Sequence, residues 1–600
     1  MTKPVPSPDP RAAELEGLLD HHERQGVLDG RIVVKDWAGG IEETRARMPQ
    51  LRLGRRWVSS LWLLPIAGVG LVVMIAVAQQ LRTYGWMQDF IRQYPGSRGD
   101  YAPVIDSGLP GWLRIQHLLN LLFMLFIIRA GLQILADHPR LYLNAGCKPG
   151  TEWLRLRGPI PAGRQDPRDT ARVWTAKDDS VALPKWLGLP GFRHSIGLAR
   201  WWHFSFDLMW LVNGAVFFVL LFVTGEWRRV VPQSWDVFPN ALSAIIQYAS
   251  LTFPRDTGFS KYNGLQQLTY FITLFVAAPL ALVTGLLQAP SIAGKFGTGA
   301  GLLNRQVART IHFMILLWFV FFITVHVTMV CITGLLPNLN HIVLGSPGSS
   351  WWAFAIFAMV LAVIAVLWLW ASPFTIQRPR TVQKTGRFLV GWVKGAMEWW
   401  NPRATYAEKD ISPYFWPNGE GPASDEYARL RDGGWRDYRL RVEGLVERPV
   451  VLSYDELLAM PKREQITQHF CIQGWSGIAK WGGVAMSDIL ALAKPAPQAK
   501  WVVFYSFSDG PETPGTGRYY DCHTIESMQH DLTILAYEMN GEPLSETHGA
   551  PVRLRNEVEL GFKQVKWIEA IELVEDFHHL GAGQGGYNED QEFYGYRMPI

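Results

Sequence analysis

The chain has 600 residues, which is more than one hydrophobic core accommodates, so two or more domains are expected. A mean hydropathy of +0.04 and 27 Trp residues are high for a soluble enzyme and indicate a chain that is partly membrane-embedded and partly globular. The net charge of +4 is modest, and no run of Lys and Arg interleaved with aromatic residues predicts a nucleic-acid surface.

Six apolar stretches reach the roughly 20 residues that a bilayer requires. They cover residues 58–80, 112–136, 202–225, 265–289, 309–335 and 351–372. A polar segment, 1–56, comes first, and the full-length apolar run after it favours a membrane anchor over a twin-arginine signal. Lys and Arg are concentrated before the first span, between the second and third, and after the sixth, which predicts that both termini are cytoplasmic.

Four histidines lie inside the spans or at their rims: His117, His203, His312 and His326. An imidazole in hydrocarbon is costly and usually functional, although any one alone could be a structural residue bonded to a neighbouring helix. His312 and His326 are fourteen residues apart, which places them on nearly one helix face about 21 Å apart. The topology then pairs His203 with His312 near the cytoplasmic side and His117 with His326 near the outer side, each pair suited to bis-histidine ligation of a haem.

The same segments carry a family resemblance. RIQHLLNLLFMLFIIRAGLQI, ARWWHFSFDLMWLVNGAVF, KYNGLQQLTYFITLFVAAPLALVTG and RQVARTIHFMILLWFVFFITVHVTMV resemble the bacterial two-haem cytochrome b family of hydrogenases, formate dehydrogenases and thiosulfate reductases. The resemblance covers about residues 110–335. It implies two b-type haems and a quinone site beside one of them, with the first and sixth spans added to a four-helix core.

The predicted domains are a transmembrane cytochrome b domain over 57–372, a linker over 373–425 and a soluble domain over 426–600. Within the linker, TGRFLVGWVKGAMEWW is too short and too charged to span a bilayer, which predicts an interfacial amphipathic helix. From about residue 436, short alternating runs such as WVVFYSF and VKWIEAIELV are separated by turn residues. This pattern predicts a mixed α+β, strand-rich domain.

The four cysteines stand singly, without a C-x-x-C pair, so any important cysteine acts alone. By itself Cys471 would more often be a small buried apolar residue. Its surroundings, HFCIQGWSG-x-x-KWGG and then AYEMNGEPLSETHGAPVRLRNEVELGFKQVKWIEAIELVEDF, are similar to the molybdopterin oxidoreductases of the sulfite oxidase superfamily. The likeness covers about residues 410–600 and is greatest to the branch that contains the catalytic subunit of periplasmic methionine sulfoxide reductase.

The resemblance implies that Cys471 gives molybdenum its single protein thiolate, a soft ligand suited to that metal, beside the pterin dithiolene. It also implies cofactor contacts, since cations and free backbone donors are the expected partners of a phosphate. These contacts are His548 and Arg553 in HGAPVRLR, Gly561, Phe562 and Lys563 in GFKQVK, and, more loosely, Asn418 in WPNG and Ser506 in FYSFSD.

Some positions stay open, among them Arg555, Lys566 and Asn540. His469 is either a pocket residue or a strand-edge histidine. Animal sulfite oxidases place an Arg-rich string after the cysteine, whereas residues 472–475 here read IQGW and provide no oxyanion clamp. Sulfite is therefore the less favoured substrate.

The sequence predicts a quinone-linked oxidoreductase of the bacterial inner membrane in a single chain. Electrons would pass from quinol through two haems to molybdenum, which would transfer an oxygen atom to or from a small substrate, with S-oxide or N-oxide reduction favoured. The reverse flow, a sulfite-type oxidation that feeds the quinone pool, fits the sequence equally well. The alternatives are an electron conduit that serves a separate partner and a transmembrane reductase of iron or ascorbate-type substrates. The oligomeric state does not follow from the sequence.

Overall fold

The computed structural model describes most of the chain. The described residues are 48–96, 108–161, 164, 173–184, 186–188, 195–253, 262–289, 292, 304–398, 406–419, 421–509 and 518–595. The predicted polar segment 1–56 therefore lies mostly outside the described residues.

Six helices in the described part are long and apolar enough to cross a membrane, which confirms the predicted number and identifies a multi-pass membrane protein. In chain order they are α1 Ser60–Leu81, α2 Gly111–Asp137, α3 Ile196–Val223, α4 Gly264–Leu286, α5 Arg305–Ile332 and α6 Trp351–Gln377. Shorter helices of this half are Gly85–Gln93, Ala176–Asp179, Val237–Ala249 and Leu335–Leu339.

Local sequence sets two features of these helices. α5 begins at Arg305 because the Asn304 side chain accepts hydrogen bonds from the backbone N–H groups of Gln306 and Val307, at 2.9 and 3.1 Å. α4 contains a π-helical turn, Ile272–Ala277, just before Pro279, whose missing N–H interrupts regular helix bonding there.

A seventh long helix, α7 (Pro379–Glu398), follows α6 where the sequence predicts an interfacial helix. It buries Val382 and Val390 against α3 and leaves Phe388 and Trp392 exposed. Exposed aromatic side chains on an amphipathic helix suit the surface of a bilayer. Its placement at that surface stays a prediction.

A small sheet covers one end of the membrane helices. Its order is β2-β1-β4-β3, and its strands are β1 Gln50–Leu53, β2 Arg56–Ser59, β3 Arg140–Leu141 and β4 Leu154–Arg155. Buried Arg140 fixes the loop after α2 through ion pairs with Glu152 and Asp179, at 2.7 and 2.8 Å. These buried ion pairs therefore hold the loop in one conformation.

The C-terminal domain has two sheets, which confirms the mixed α+β prediction. The first has the order β10-β9-β14-β5-β6, and the second has the order β12-β11-β8-β7 with β13 paired to β11. The strands are β5 Arg439–Gly444, β6 Val450–Ser453, β7 Lys462–Phe470, β8 Ser476–Ala485, β9 Trp501–Asp509, β10 Arg518–Thr524, β11 Thr533–Met539, β12 Glu542–Pro543, β13 Arg553–Asn556 and β14 Ile568–Val574. The helices are Asp425–Asp432, Tyr454–Ala459, Met486–Ala493, Ile525–Met528 and Tyr587–Gln591.

The core of this domain lies on the first sheet. Along β5, Leu440 and Val442 are buried between exposed neighbours, as the alternation of a half-buried strand requires. They pack with Phe504, Ile571 and Leu573 from the neighbouring strands. The second sheet carries the residues of the candidate site.

Candidate molybdenum and haem sites

Cys471 lies at the tip of a hairpin. β7 and β8 pair antiparallel as far as Phe470 and Ser476, so residues 471–475 form the turn. The Cys471 N–H donates to the Trp475 carbonyl, and the Gly474 N–H donates to the Cys471 carbonyl, both at 3.1 Å. Gly474 has φ of +109°, a conformation that favours glycine. The turn holds the cysteine in one orientation.

The Cys471 thiol is enclosed, with 1% of the residue exposed. Its Sγ lies 3.9 Å from Nδ2 of Asn418 and 3.7 Å from Oε1 of Gln473. Burial raises the pKa of the thiol to about 12. A thiolate is therefore stable here only beside a cation, which is what a bound metal supplies.

His548 and Arg553 lie around the same pocket, next to the ring of Phe415. The His548 ring is 5.8 Å from that of Phe415, and its Nδ1 is 2.8 Å from Oγ of Ser545. Arg553 donates to the His548 carbonyl at 2.8 Å, and its guanidinium lies 5.0 Å over the Trp481 ring. The structure thus brings these two predicted residues together.

Lys566, which the sequence left unassigned, is also part of this pocket. Its Nζ donates to the carbonyl oxygens of Asn418 and Thr547. Burial and the charge of Arg553 hold the pKa of Lys566 well below its usual range. Among the described residues, no carboxylate forms an ion pair with Lys566 or Arg553, so the pocket carries positive charge that an anion would balance.

The pocket fits a polar, anionic cofactor. Several buried polar atoms around it have no hydrogen-bond partner in the described part of the chain: Nε of Arg553, Nε1 of Trp475, Nε1 of Trp481 and the hydroxyl of Tyr414. Buried polar groups are normally paired, so such a cluster indicates a missing partner. A molybdenum pterin, with a ring edge rich in donors and acceptors and a phosphate, matches this set.

Gly561 lies against the ring of His469. A Cβ at Gly561 would lie 2.3 Å from the His469 ring, so only glycine fits. That ring stacks on Trp475 at 5.1 Å, and its Nδ1 is 2.9 Å from Arg555. His469 is therefore a buried packing residue behind the cysteine turn, and Phe562 packs farther along against Tyr594 at 4.7 Å.

Lys563 and Ser506 do not point to Cys471. The Lys563 ammonium is buried and binds Asp521, Glu589 (2.8 Å) and the Cys522 carbonyl (3.0 Å). Its charge is balanced by these carboxylates, so the contact with an anionic tail expected for Lys563 is not open to it in this arrangement. The Ser506 hydroxyl donates to the Lys566 carbonyl at 2.8 Å and holds the backbone of that lysine.

His117 of α2 and His326 of α5 face each other. Their ring centroids are 6.3 Å apart, with planes inclined by 52°. An iron bonded to a nitrogen of each ring at about 2 Å would hold the centroids about 6 Å apart. The Phe322 ring stacks on His326 at 5.6 Å. The spacing of this predicted pair suits bis-histidine ligation.

His203 of α3 and His312 of α5 lie close enough to interact electrostatically. Nδ1 of His203 is 3.1 Å from the Ile127 carbonyl, and Nδ1 of His312 is 3.0 Å from the Thr284 hydroxyl. A hydrogen bond at Nδ1 orients an imidazole to bind a metal through Nε2. Nε2 of His203 now lies 3.4 Å from Asp207. The second predicted pair is thus also brought together.

Sequence reasoning missed the membrane-domain residues that touch the cysteine turn. Arg305 donates to the carbonyl oxygens of Cys471 and Trp475, and Gln306 donates to that of Gly474. Arg309 donates to the carbonyl oxygens that follow α2, at His138 and Arg140. The one available signal was the RQVAR string at the start of an apolar span, because arginines there need buried partners.

Two family models match the chain. Residues 108–345 match the prokaryotic cytochrome b561 family, and residues 427–579 match the oxidoreductase molybdopterin-binding domain. The cytochrome match covers α2 to α5, and the second match covers both sheets of the C-terminal domain.

Three relatives are similar to this chain over part of their length. A candidate protein-methionine-sulfoxide reductase subunit, YedZ1, of Azospira oryzae is 34% identical over 27% of this chain and 57% of its own. The protein-methionine-sulfoxide reductase catalytic subunits MsrP of Xanthomonas campestris and Xanthomonas axonopodis are 36% identical over 25% of this chain and 50% of theirs. The chain thus spans about half the length of the curated relatives it matches.

Among solved structures, the sulfane dehydrogenase SoxCD of Paracoccus pantotrophus is 26% identical over 24% of this chain and 39% of its own. Its TM-score of 0.21 is too low to equate the two structures. The domain assignment rests on the family matches, whose ranges coincide with the histidine-bearing helices and the cysteine-bearing sheets. The chain thus joins a membrane region that matches the prokaryotic cytochrome b561 family to a C-terminal region that matches the oxidoreductase molybdopterin-binding domain.

Proposed function

We propose that this chain is a membrane-bound quinol-dependent reductase of small S-oxides or N-oxides. The observation that carries the proposal is that the hairpin turn of Cys471 is hydrogen-bonded to the first residues of α5. The same helix bears His312 and His326. The candidate metal ligand is thus attached, through hydrogen bonds of its turn, to the helix that bears two of the candidate haem ligands. The names of the relatives, which refer to methionine sulfoxide, favour an S-oxide.

The proposed reaction balances in electrons and protons. A quinol loses two electrons and two protons and becomes the quinone. The S-oxide gains two electrons and two protons, its S–O bond breaks, and a thioether and water leave. Molybdenum held by Cys471 and a pterin supplies the oxygen-atom transfer.

The chain's own residues bind, orient and insulate. Arg553 and Lys566 balance an anionic cofactor, while Asn418 and His548 line its pocket. His117 with His326, and His203 with His312, would hold two b-type haems. The burial of Cys471 keeps water from its thiol. Quinol is expected at the outer pair, beside the aromatic rings of Phe322 and Tyr270.

Metal content and haem reoxidation test this function. Detergent-purified wild type should hold about one molybdenum and two haems, and quinol-reduced haem should be reoxidised by methionine sulfoxide or an N-oxide. Cys471→Ala should keep both haems but lose reoxidation, because the metal no longer has its protein thiolate. Cys331→Ala, at an exposed cysteine of α5, is the matched control and should behave as wild type.

Two outcomes would point elsewhere. A wild-type chain with haem and no molybdenum would overturn the reductase and favour the electron conduit. Reduction of the haems by sulfite, without reoxidation by S-oxides, would favour the reverse flow into the quinone pool.

We also propose that the molybdopterin domain is cytoplasmic. The excess of Lys and Arg before α1, between α2 and α3, and after α6 supports this orientation. A green fluorescent protein fused to the C terminus should fluoresce, and alkaline phosphatase fused there should be inactive. Active phosphatase would reverse the orientation.

A further inference from the structure

Arg305, the first residue of α5, is buried against the metal-ligand turn. Its Nη1 donates to the carbonyl oxygens of Cys471 (3.2 Å) and Trp475 (3.1 Å), and its Nε donates to that of Gln288 (3.1 Å). Its guanidinium also lies 5.5 Å over the Phe470 ring. In the described part of the chain no carboxylate forms an ion pair with it. The contacts of its guanidinium are therefore with carbonyl oxygens and with the Phe470 ring.

Its neighbour completes the attachment of the turn. Gln306 donates through Nε2 to the Gly474 carbonyl at 3.0 Å and to the Ser476 hydroxyl at 3.2 Å. Both side chains come from the first helical turn, which Asn304 caps. The turn is thus bonded directly to the helix, with no layer between them.

The same helix leads to the haem ligands. His312 follows Arg305 by seven residues, or about 10 Å of helix rise. A buried charge acts strongly on a group it nearly touches and more weakly on one about 10 Å away, because Coulomb energy falls with distance. Arg305 therefore acts on the metal ligand more than on the haem pair at His203 and His312.

The other buried arginines of this interface are less selective. Arg200 interacts electrostatically with Cys471, but it is only three residues before His203. Arg309 is likewise three residues before His312 and donates to carbonyl oxygens of the loop after α2. Each of these two arginines therefore lies within one helical turn of a candidate haem ligand, whereas Arg305 is about two turns from His312. Among these three arginines, Arg305 lies farthest along its helix from a candidate haem ligand.

We infer that Arg305 is a positioning residue that fixes the Cys471 turn to the haem helix and whose buried charge makes the metal the preferred electron acceptor. A nearby positive charge stabilises the reduced, more negative state of a metal site. Electrons then run from haem to molybdenum, the direction of an S-oxide or N-oxide reductase. The inference rests on the proposed function and adds a physical cause for the direction of electron flow.

Two substitutions separate charge from attachment. Arg305→Gln removes the charge and keeps an amide donor. Arg305→Lys keeps the charge but loses the guanidinium that bonds to the carbonyl oxygens of both Cys471 and Trp475. Arg441→Gln is the control, since Arg441 is half exposed, lies on β5 of the first sheet and pairs with Glu569. Each full-length protein is assayed for molybdenum and haem, and its metal and haems are titrated with redox mediators under EPR and optical detection.

In Arg305→Gln the ratio of reduced metal to reduced haem at equal potential should fall about tenfold, the size expected for one lost charge-assisted contact. Haem potentials should change little. Arg305→Lys should keep the wild-type ratio while haem reoxidation by methionine sulfoxide slows. Arg441→Gln should match wild type in every readout.

An unchanged ratio in a metal-replete Arg305→Gln protein would overturn the inference. If Arg305→Gln does not retain the metal, Arg305→Lys becomes the deciding variant. This variant keeps the charge, so a lower ratio of reduced metal to reduced haem in it would contradict the role given to the charge. A wild type without molybdenum, or one that S-oxides and N-oxides do not reoxidise, refutes the proposed function instead. The two failures are thus distinguished.

Discussion

Two lysines three residues apart have opposite environments. Lys563 is buried between Asp521 and Glu589, which hold its pKa above the usual range, whereas Lys566 is buried beside Arg553 with no carboxylate partner. A buried cation with two carboxylates belongs to the fold. A buried cation without any needs an anion from outside the chain.

Substitution by methionine should separate these roles. Lys563→Met leaves two carboxylates unpaired in the interior and should lower the free energy of unfolding by about 3–5 kcal/mol. Lys566→Met removes an unbalanced charge and should leave thermal stability near wild type while molybdenum content falls severalfold. Differential scanning fluorimetry and elemental analysis check both. Equal loss of stability in the two variants would contradict the assignment of Lys566 to the cofactor.

Buried histidines make the molybdopterin domain sensitive to acid. Burial, with Lys566 and Arg553 nearby, lowers the pKa of His548 to about 3 from 6.5. Between these values the unfolded chain binds a proton that the folded chain does not, so stability is full above pH 6.5 and falls as the pH drops toward 3. His548→Gln should therefore flatten the fall of the unfolding midpoint between pH 7 and 5. His578→Gln, at an exposed position, should leave it unchanged.

At the scale of elements, α5 connects the candidate metal site with the candidate haem sites. Asn304, Arg305 and Gln306 begin the helix and hold the cysteine turn, and His312 and His326 follow on one face. Because a helix has a fixed rise per residue, it sets the distance between the two histidine pairs and the cysteine turn that is bonded to its first residues.

The two histidines of α5 should each account for one haem. His312→Ala should remove the haem nearer the molybdopterin domain, and His326→Ala the other, so each variant should contain about half of the wild-type haem by pyridine haemochrome assay. His312→Ala should in addition stop reoxidation of the remaining quinol-reduced haem by S-oxides, since the path is broken next to the metal. Loss of both haems from either variant, with the protein still folded, would mean that the pairs are not independent sites.

The sequence predicted some of these elements and contacts but not others. The six spans and the strand-rich domain follow from apolar length and alternation, which leave little choice of structure. The histidine pairs follow from span order, because His312 and His326 are on one helix. By contrast, β3 and β4 have two residues each and carry no periodic signal. The contact of Arg305 with Cys471 joins residues 166 positions apart, which no local pattern reveals.

At the scale of the whole molecule, the membrane domain and the C-terminal domain are packed against each other. The loop after α2 contributes His138 and Tyr142, which pack with Trp416 ahead of the molybdopterin domain, and Trp416 donates to the Cys147 carbonyl at 2.8 Å. Gln473 of the cysteine turn donates to the Ala176 carbonyl of the same loop at 3.3 Å. The turn is therefore enclosed by both domains.

This packing predicts that electron transfer from haem to substrate is intramolecular. After reduction by quinol, the first-order rate constant of haem reoxidation by methionine sulfoxide should stay constant over about a hundredfold dilution of the protein, because donor and acceptor sites are on one chain and in contact. A conduit that serves a separate partner would instead show a rate proportional to protein concentration. Mixing Cys471→Ala with His312→Ala tests the same point. Neither variant should rescue the other, since an intact path needs both residues in one chain, and recovery of wild-type reoxidation in the mixture would show transfer between molecules.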